Sequence, residues 1–189
     1  MNKLAIKLER EERLLELKPL ETLKEFGFST GMNFCDLGAG SGVFSLEAAK
    51  ISKETIYALE ISDEMIDIIT KKIKISNINN VFPKKIVGKT FELPSKSIDF
   101  VLLSTVFHEI PKEEHPKFLS EIKRVLKDNG RFLVIEFLKE KSPMGPRLVE
   151  KRVSKEEMNA IVEKHNFLEL KHKVLGENLY AVLFEKVAK

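Results

Sequence analysis

The chain has 189 residues, with 32 Lys and Arg against 29 Asp and Glu for a net charge of +3, and one cysteine. That length suits a single domain, residues 1–189, burying roughly 70% of the surface its unfolded form exposes. Interspersed charges of both signs give no electrostatic case for nucleic acid, and a lone cysteine excludes an intrachain disulfide framework.

The first residues are charged throughout (Lys3, Lys7, Glu9, Arg10, Glu11, Glu12, Arg13), unlike a signal peptide. No apolar run approaches the roughly 20 residues that span a bilayer, so a soluble cytoplasmic protein without a membrane partner is expected. Leu4, Leu8, Leu15 and Leu17 lie among those charges and suggest an amphipathic opening helix broken near Pro19. Pro19 then fits the first turn of a second short helix closed by Gly27. Residues 1–30 form an extension that either packs on the sheet or acts as a lid over the ligand crevice of the core, residues 31–189.

A short apolar run over 32–37 leads into Asp36-Leu37-Gly38-Ala39-Gly40-Ser41-Gly42, followed by apolar periodicity over 43–51. This is a strand, a tight glycine turn and a helix. Glycine allows the sharp turn and lets a ligand lie on the main chain, while the helix N-terminus suits a ligand anion. A dinucleotide fingerprint begun at Gly38 or Gly40 would require glycine where Val43 or Ser45 stands, which disfavours a nicotinamide-dependent oxidoreductase. Cys35, inside this strand, is expected to be a small buried hydrophobe.

Residues 55–60 are a second strand ending at Glu60, and Ser62 or Asp63 caps a helix with Met65, Ile66, Ile69 and Ile73 on one face. Glu60 lies about 20 residues beyond the glycines, where an acidic side chain can accept hydrogen bonds from ribose hydroxyls. Residues 81–87 are a third strand, 88–97 a loop, and 98–103 a nearly continuous apolar fourth strand covered on both faces. After the loop 104–110, a helix carries Phe118, Leu119, Ile122, Val125 and Leu126 and stops at Asp128-Asn129-Gly130, before a fifth strand over 131–137. Residues 139–152 are a loop, and Ser154 with Glu157 forms a capping box for the next helix. A hairpin then turns at Gly176-Glu177-Asn178, which inserts one antiparallel strand. The fold class is α/β, a doubly wound and mostly parallel sheet whose site lies at the strands' C-terminal ends.

The acidic residue and alternating glycines of 36–42 resemble motif I of the class I S-adenosylmethionine-dependent methyltransferases. So do Leu93-Pro94, Ser97-Ile98-Asp99-Phe100, Val106-Phe107-His108-Glu109-Ile110 and Arg124-Val125-Leu126-Lys127, which look like the small-molecule branch that includes ubiquinone and menaquinone C-methyltransferases and arsenite methyltransferases. The resemblance covers nearly the whole chain. It implies seven strands with the last antiparallel, S-adenosylmethionine as cofactor, and methyl transfer to a small-molecule acceptor.

By position, Asp36 would organise the corner and help hold the methionine amino group, and Gly38, Ala39, Gly40 and Gly42 would receive the methionine part. Glu60 would take the ribose, Ile61 would press on the adenine, and Ser104 would offer its backbone to the methionine ammonium. Lys89 stands where the family usually has an acid for the adenine amino group, so backbone groups near Thr90 would substitute. His108 is the expected base or orienting group because its ordinary pKa is near neutrality, with Glu109 beside it. Arg147 and Arg10 are weaker candidates for gripping an anionic substrate. No metal-ligand spacing is present among the four histidines. The alternative readings are a non-catalytic S-adenosylmethionine-binding protein and, further off, the oxidoreductase.

Overall fold

The computed structural model describes residues 3–87 and 90–187, in two compact units covering residues 1–92 and 93–189. The described residues form seven strands and seven α-helices, and the last strand runs antiparallel to its neighbours. This is the α/β class expected.

The first unit opens with helices α1 (Lys3–Leu8), α2 (Glu11–Leu17) and α3 (Pro19–Glu25). One opening helix was expected, but the chain breaks it at Arg10, whose ψ of 137° is extended. The break is stabilised because the Arg13 guanidinium donates to the Leu8 carbonyl at 2.9 Å and satisfies an orphan acceptor at the end of α1. Strands β1 (Phe34–Leu37), β2 (Ile56–Glu60) and β3 (Val81–Lys85) pair in parallel in the order β3-β2-β1. All four β1 residues are buried, Cys35 among them, and burial pushes its thiol pKa well up, so it is an inert packing group. Helix α4 (Val43–Ile51) follows β1, and α5 (Asp63–Ile75) follows β2 with Ser62 as its cap and Met65 and Ile69 facing inward.

The second unit orders its strands β4-β5-β7-β6: β4 (Ile98–Ser104), β5 (Leu126–Phe137), β6 (Phe167–Leu175) and β7 (Leu179–Lys186). Helix α6 (His115–Val125) ends earlier than the sequence suggested, and β5 begins at Leu126 rather than at 131. The Asp128-Asn129-Gly130 turn is present, but as a bulge inside the strand: Ile98 pairs with Leu126 and Phe100 with Arg131. A Cβ on Gly130 would come 2.9 Å from the Lys127 carbonyl, so the bulge requires glycine. Helix α7 (Lys155–Val162) starts on the expected capping box, with both reciprocal bonds formed between Ser154 and Glu157. Among the described residues no helix is long and apolar enough to cross a membrane.

Candidate functional site

The glycine corner of the first unit is held by main-chain bonds. The amides of Gly38 and Ala39 both donate to the Leu59 carbonyl, at 2.8 and 3.0 Å, tying the end of β1 to the end of β2. Gly38, Gly40 and Gly42 take φ values of 71°, 53° and 82°, the left-handed region that side chains disfavour. The reason for each glycine differs. A Cβ on Gly42 would sit 3.0 Å from Ile69 of α5, so glycine there lets α5 pack close to the corner. A Cβ on Gly40 would come 2.7 Å from Leu8 Cδ1, so α1 lies against the corner. The same region is tied down by Lys72, which pairs with Glu9 at 2.5 Å and donates to the Ser41 carbonyl at 3.0 Å.

Two carboxylates stand at this corner. Asp36 is 2% exposed and accepts a 2.7 Å hydrogen bond from Ser45 Oγ. Burial pushes its pKa up, Ser45 opposes, and the nearby Glu60 charge adds to the rise, leaving it at about 7. A carboxyl held so high is poised to ionise beside a cation. Glu60 is 8% exposed and accepts from the Gly40 amide at 2.8 Å through Oε2, and from the Ile61 and Ser62 amides at 2.8 and 3.1 Å through Oε1. Oε2 keeps a lone pair for a further donor such as a hydroxyl. Ile61 next to it is 70% exposed, an apolar surface beside a hydroxyl acceptor. The residues present therefore fit a ligand carrying a hydroxylated ribose, a flat apolar ring and an ammonium group. Ala39 contributes backbone to the corner, Thr90 is exposed, and Lys89 lies outside the described residues.

The second unit places Ser104, His108 and Glu109 after β4. Ser104 ends the strand, and its Oγ is buried with no hydrogen-bond partner among the described residues. Such an orphaned hydroxyl suits a ligand's polar group. Thr105 takes φ 56°, a strained conformation for a β-branched residue, and its amide donates to the Ile135 carbonyl at 2.7 Å. The chain thereby turns into a short 3-10 turn, Phe107–Glu109.

His108 meets a residue that the sequence reading missed. Its Nδ1 lies 3.0 and 2.9 Å from the two carboxylate oxygens of Glu136, and its amide donates to Glu136 Oε1 at 3.2 Å. The Phe137 amide donates to Glu136 Oε2 at 3.2 Å. On the other side of the ring, Nε2 lies 3.1 Å from Glu109 Oε1. Burial alone would lower the His108 pKa, but the Glu136 hydrogen bond and charge outweigh it, with Glu109 adding less, and the net shift is upward. One signal could have revealed Glu136: it is the one acid in the otherwise apolar, buried run 132–137 at the C-terminal end of β5, where α/β sheets bind ligands.

Arg152 was also missed, while Arg147 and Arg10 are exposed. Arg152 is 2% exposed and donates to the carbonyls of Leu138, Ser142, Met144 and Pro146 and to Ser142 Oγ, which organises the loop after β5. Its guanidinium also lies 5.8 Å from the Phe137 ring centroid, and Phe137 meets His108 edge-on at 5.6 Å. Among the described residues no group of three or more His, Cys, Asp and Glu is arranged to hold a metal ion.

The family described as "Methyltransferase domain" matches residues 35–134, more than half of the chain. An uncharacterized methyltransferase-like protein of Schizosaccharomyces pombe is 34% identical over 51% of this chain and 34% of its own length. The ubiquinone/menaquinone biosynthesis C-methyltransferase of Rickettsia prowazekii is 32% identical over 58% of this chain and 46% of its own. The chain thus spans less than half the length of these curated relatives. A solved structure of a SAM dependent methyltransferase from Aquifex aeolicus superposes with a TM-score of 0.89 over 97% of both chains, at 29% identity. The glycine corner between β1 and α4, the acid ending β2 and the agreement in fold converge on one conclusion: the chain belongs to the class I S-adenosylmethionine-dependent methyltransferase family.

Proposed function

We propose that this chain is an S-adenosylmethionine-dependent methyltransferase that methylates a small-molecule acceptor by direct displacement. The observation that carries it is the buried Glu60 carboxylate, pinned by three amides of the glycine corner and the following turn with a lone pair to spare. The similarity to a quinone-pathway C-methyltransferase supports the small-molecule acceptor. S-adenosylmethionine, when bound, supplies an electrophilic methyl group on a sulfonium. Asp36 would meet the methionine ammonium, Glu60 would accept from the ribose and Ile61 would pack on the adenine. The end of α1 covers the corner through Leu8 and, just after it, the Glu9–Lys72 pair. His108 takes the acceptor's proton at Nε2, while acceptor alignment supplies most of the rate.

Calorimetric titration with S-adenosylmethionine, S-adenosylhomocysteine and NADH tests this reading, paired with labelled methyl transfer to a panel of small acceptors. Binding of the adenosyl ligands alone, followed by transfer, is the expected result. Binding without transfer to any acceptor would favour the non-catalytic alternative, and NADH binding alone would overturn the family's cofactor for this chain.

Two further outcomes are expected. His108→Ala lowers kcat by about 10²- to 10⁴-fold with cofactor affinity unchanged; full turnover would remove His108 from the mechanism. Cofactor affinity should also depend on pH through Asp36. An ammonium beside this carboxyl favours its ionised form, so binding releases the proton held up to about pH 7. Affinity then rises by up to about tenfold per pH unit below 7 and levels off above it. Asp36→Asn should flatten the profile, and a wild-type affinity already flat from pH 5.5 to 8.5 would refute the assignment. The sign for stability is opposite: the raised carboxyl pKa makes the free protein less stable as pH rises from about 4 to 7.

A further inference from the structure

We propose that Glu136 is a positioning residue that holds His108 with Nδ1 protonated and Nε2 presented, and that Glu109 is a removable occupant of Nε2, standing where an oxygen of the acceptor binds. The chemistry rests on the methyltransferase reading above; the geometry does not.

The two carboxylates differ in freedom. Glu136 is 1% exposed and accepts from two backbone amides as well as from the ring, so neither its position nor its partner can change without stranding a buried charge. An ionised carboxylate only accepts, so its contact with Nδ1 fixes the proton there and selects the tautomer whose Nε2 carries the lone pair. The Glu109 side chain is 76% exposed, so it can swing into water with little change in its solvation. Its contact with Nε2 requires a proton on that nitrogen, because both oxygens of Glu109 are acceptors as well. With Glu109 in place His108 is therefore an imidazolium.

The charged groups facing the ring are Glu136 from β5 and Glu109 from its own turn, and the upward shift of the His108 pKa depends on both. Tyr180 of β7 lies near Glu136 and donates to the Val153 carbonyl, so burial and the Glu136 charge keep it neutral. When Glu109 departs, one of the charges that stabilised the Nε2 proton goes too, which lowers the His108 pKa; that proton passes to water and leaves Nε2 with its lone pair. The acceptor's X–H proton then passes to Nε2. With S-adenosylmethionine bound, the electron pair left on the acceptor would bond to the methyl group, the cofactor would leave as a neutral thioether, and the imidazolium would pass its proton to water.

The test is long-range ¹⁵N NMR of the His108 ring between pH 5 and 9 in cofactor-free protein, with His108→Asn to identify its signals. In the wild type, the neutral ring should carry its proton on Nδ1 and titrate above 6.5. Glu109→Gln should lower that pKa while keeping the tautomer, and Glu136→Gln should lower it further. A neutral wild-type ring protonated on Nε2 would overturn the proposal. So would a Glu109→Gln protein whose His108 titrates as in the wild type. Both of these measurements stand if Glu136→Gln fails to fold. None requires methyl transfer, so calorimetry with S-adenosylmethionine judges the functional reading separately.

Discussion

Arg152→Ala destabilises the protein by about 3 kcal/mol or more, because truncation strands a set of carbonyls that a buried cation now satisfies. The guanidinium is 2% exposed and spans oxygens from Leu138 to Pro146, the nearest of them the Met144 carbonyl at 2.7 Å. Five donors on a planar fork can reach several carbonyls at once, and a lysine ammonium on a flexible stem cannot. Arg152→Lys is therefore expected to recover only a small part of the loss. In urea denaturation the midpoint should fall with the slope unchanged, and the melting temperature should drop by roughly 6 to 12 °C. A change within about 0.5 kcal/mol would show that the loop holds itself. Because Arg152, Gly145 and His108 all contact the Phe137 ring, loosening this loop should also reach the histidine.

Glu60→Ala weakens S-adenosylhomocysteine binding by about 1 to 3 kcal/mol, about 5- to 150-fold in dissociation constant. The side chain has two roles in this prediction. As a ligand group it accepts from the ribose; as a structural group it satisfies the amides of Gly40, Ile61 and Ser62. Glu60→Gln keeps one acceptor oxygen of the two: that oxygen can still accept from the Ile61 and Ser62 amides, while the NH2 replacing Oε2 cannot accept from the Gly40 amide but can donate to a ribose hydroxyl. An affinity intermediate between wild type and Glu60→Ala is expected, with circular dichroism unchanged. Wild-type affinity in Glu60→Ala would refute the ribose assignment.

Much of the secondary structure could be read along the chain because its signals are local. Helix α4 covers the residues its periodicity marked, Glu60 ends β2, Ser62 caps α5, and Ser154 with Glu157 starts α7. Each depends on residues a few positions apart, where capping and apolar spacing act. The misread boundaries depend on hydrogen bonds that apolar spacing does not mark. The opening helix breaks at Arg10, with Arg13 bonding back to Leu8 across the break. The early start of β5 follows from the pairing of Leu126 with Ile98 across a bulge.

His108 and Glu109 could be singled out from the sequence alone, because a histidine soon after the fourth strand of such a sheet lies where ligands bind. Their electrostatic state could not. The parallel register that sets Ser104 beside Ile135 brings Glu136 next to the turn carrying His108, 28 residues away in the chain. The sequence by itself determined the class of fold, the glycine corner and the acid that follows it, since these depend on periodicity, turn chemistry and spacing. Only the tertiary structure decided which buried carboxylate holds the histidine and which arginine holds the loop, because those partnerships arise from strand register and burial, which bring together residues that no local pattern relates.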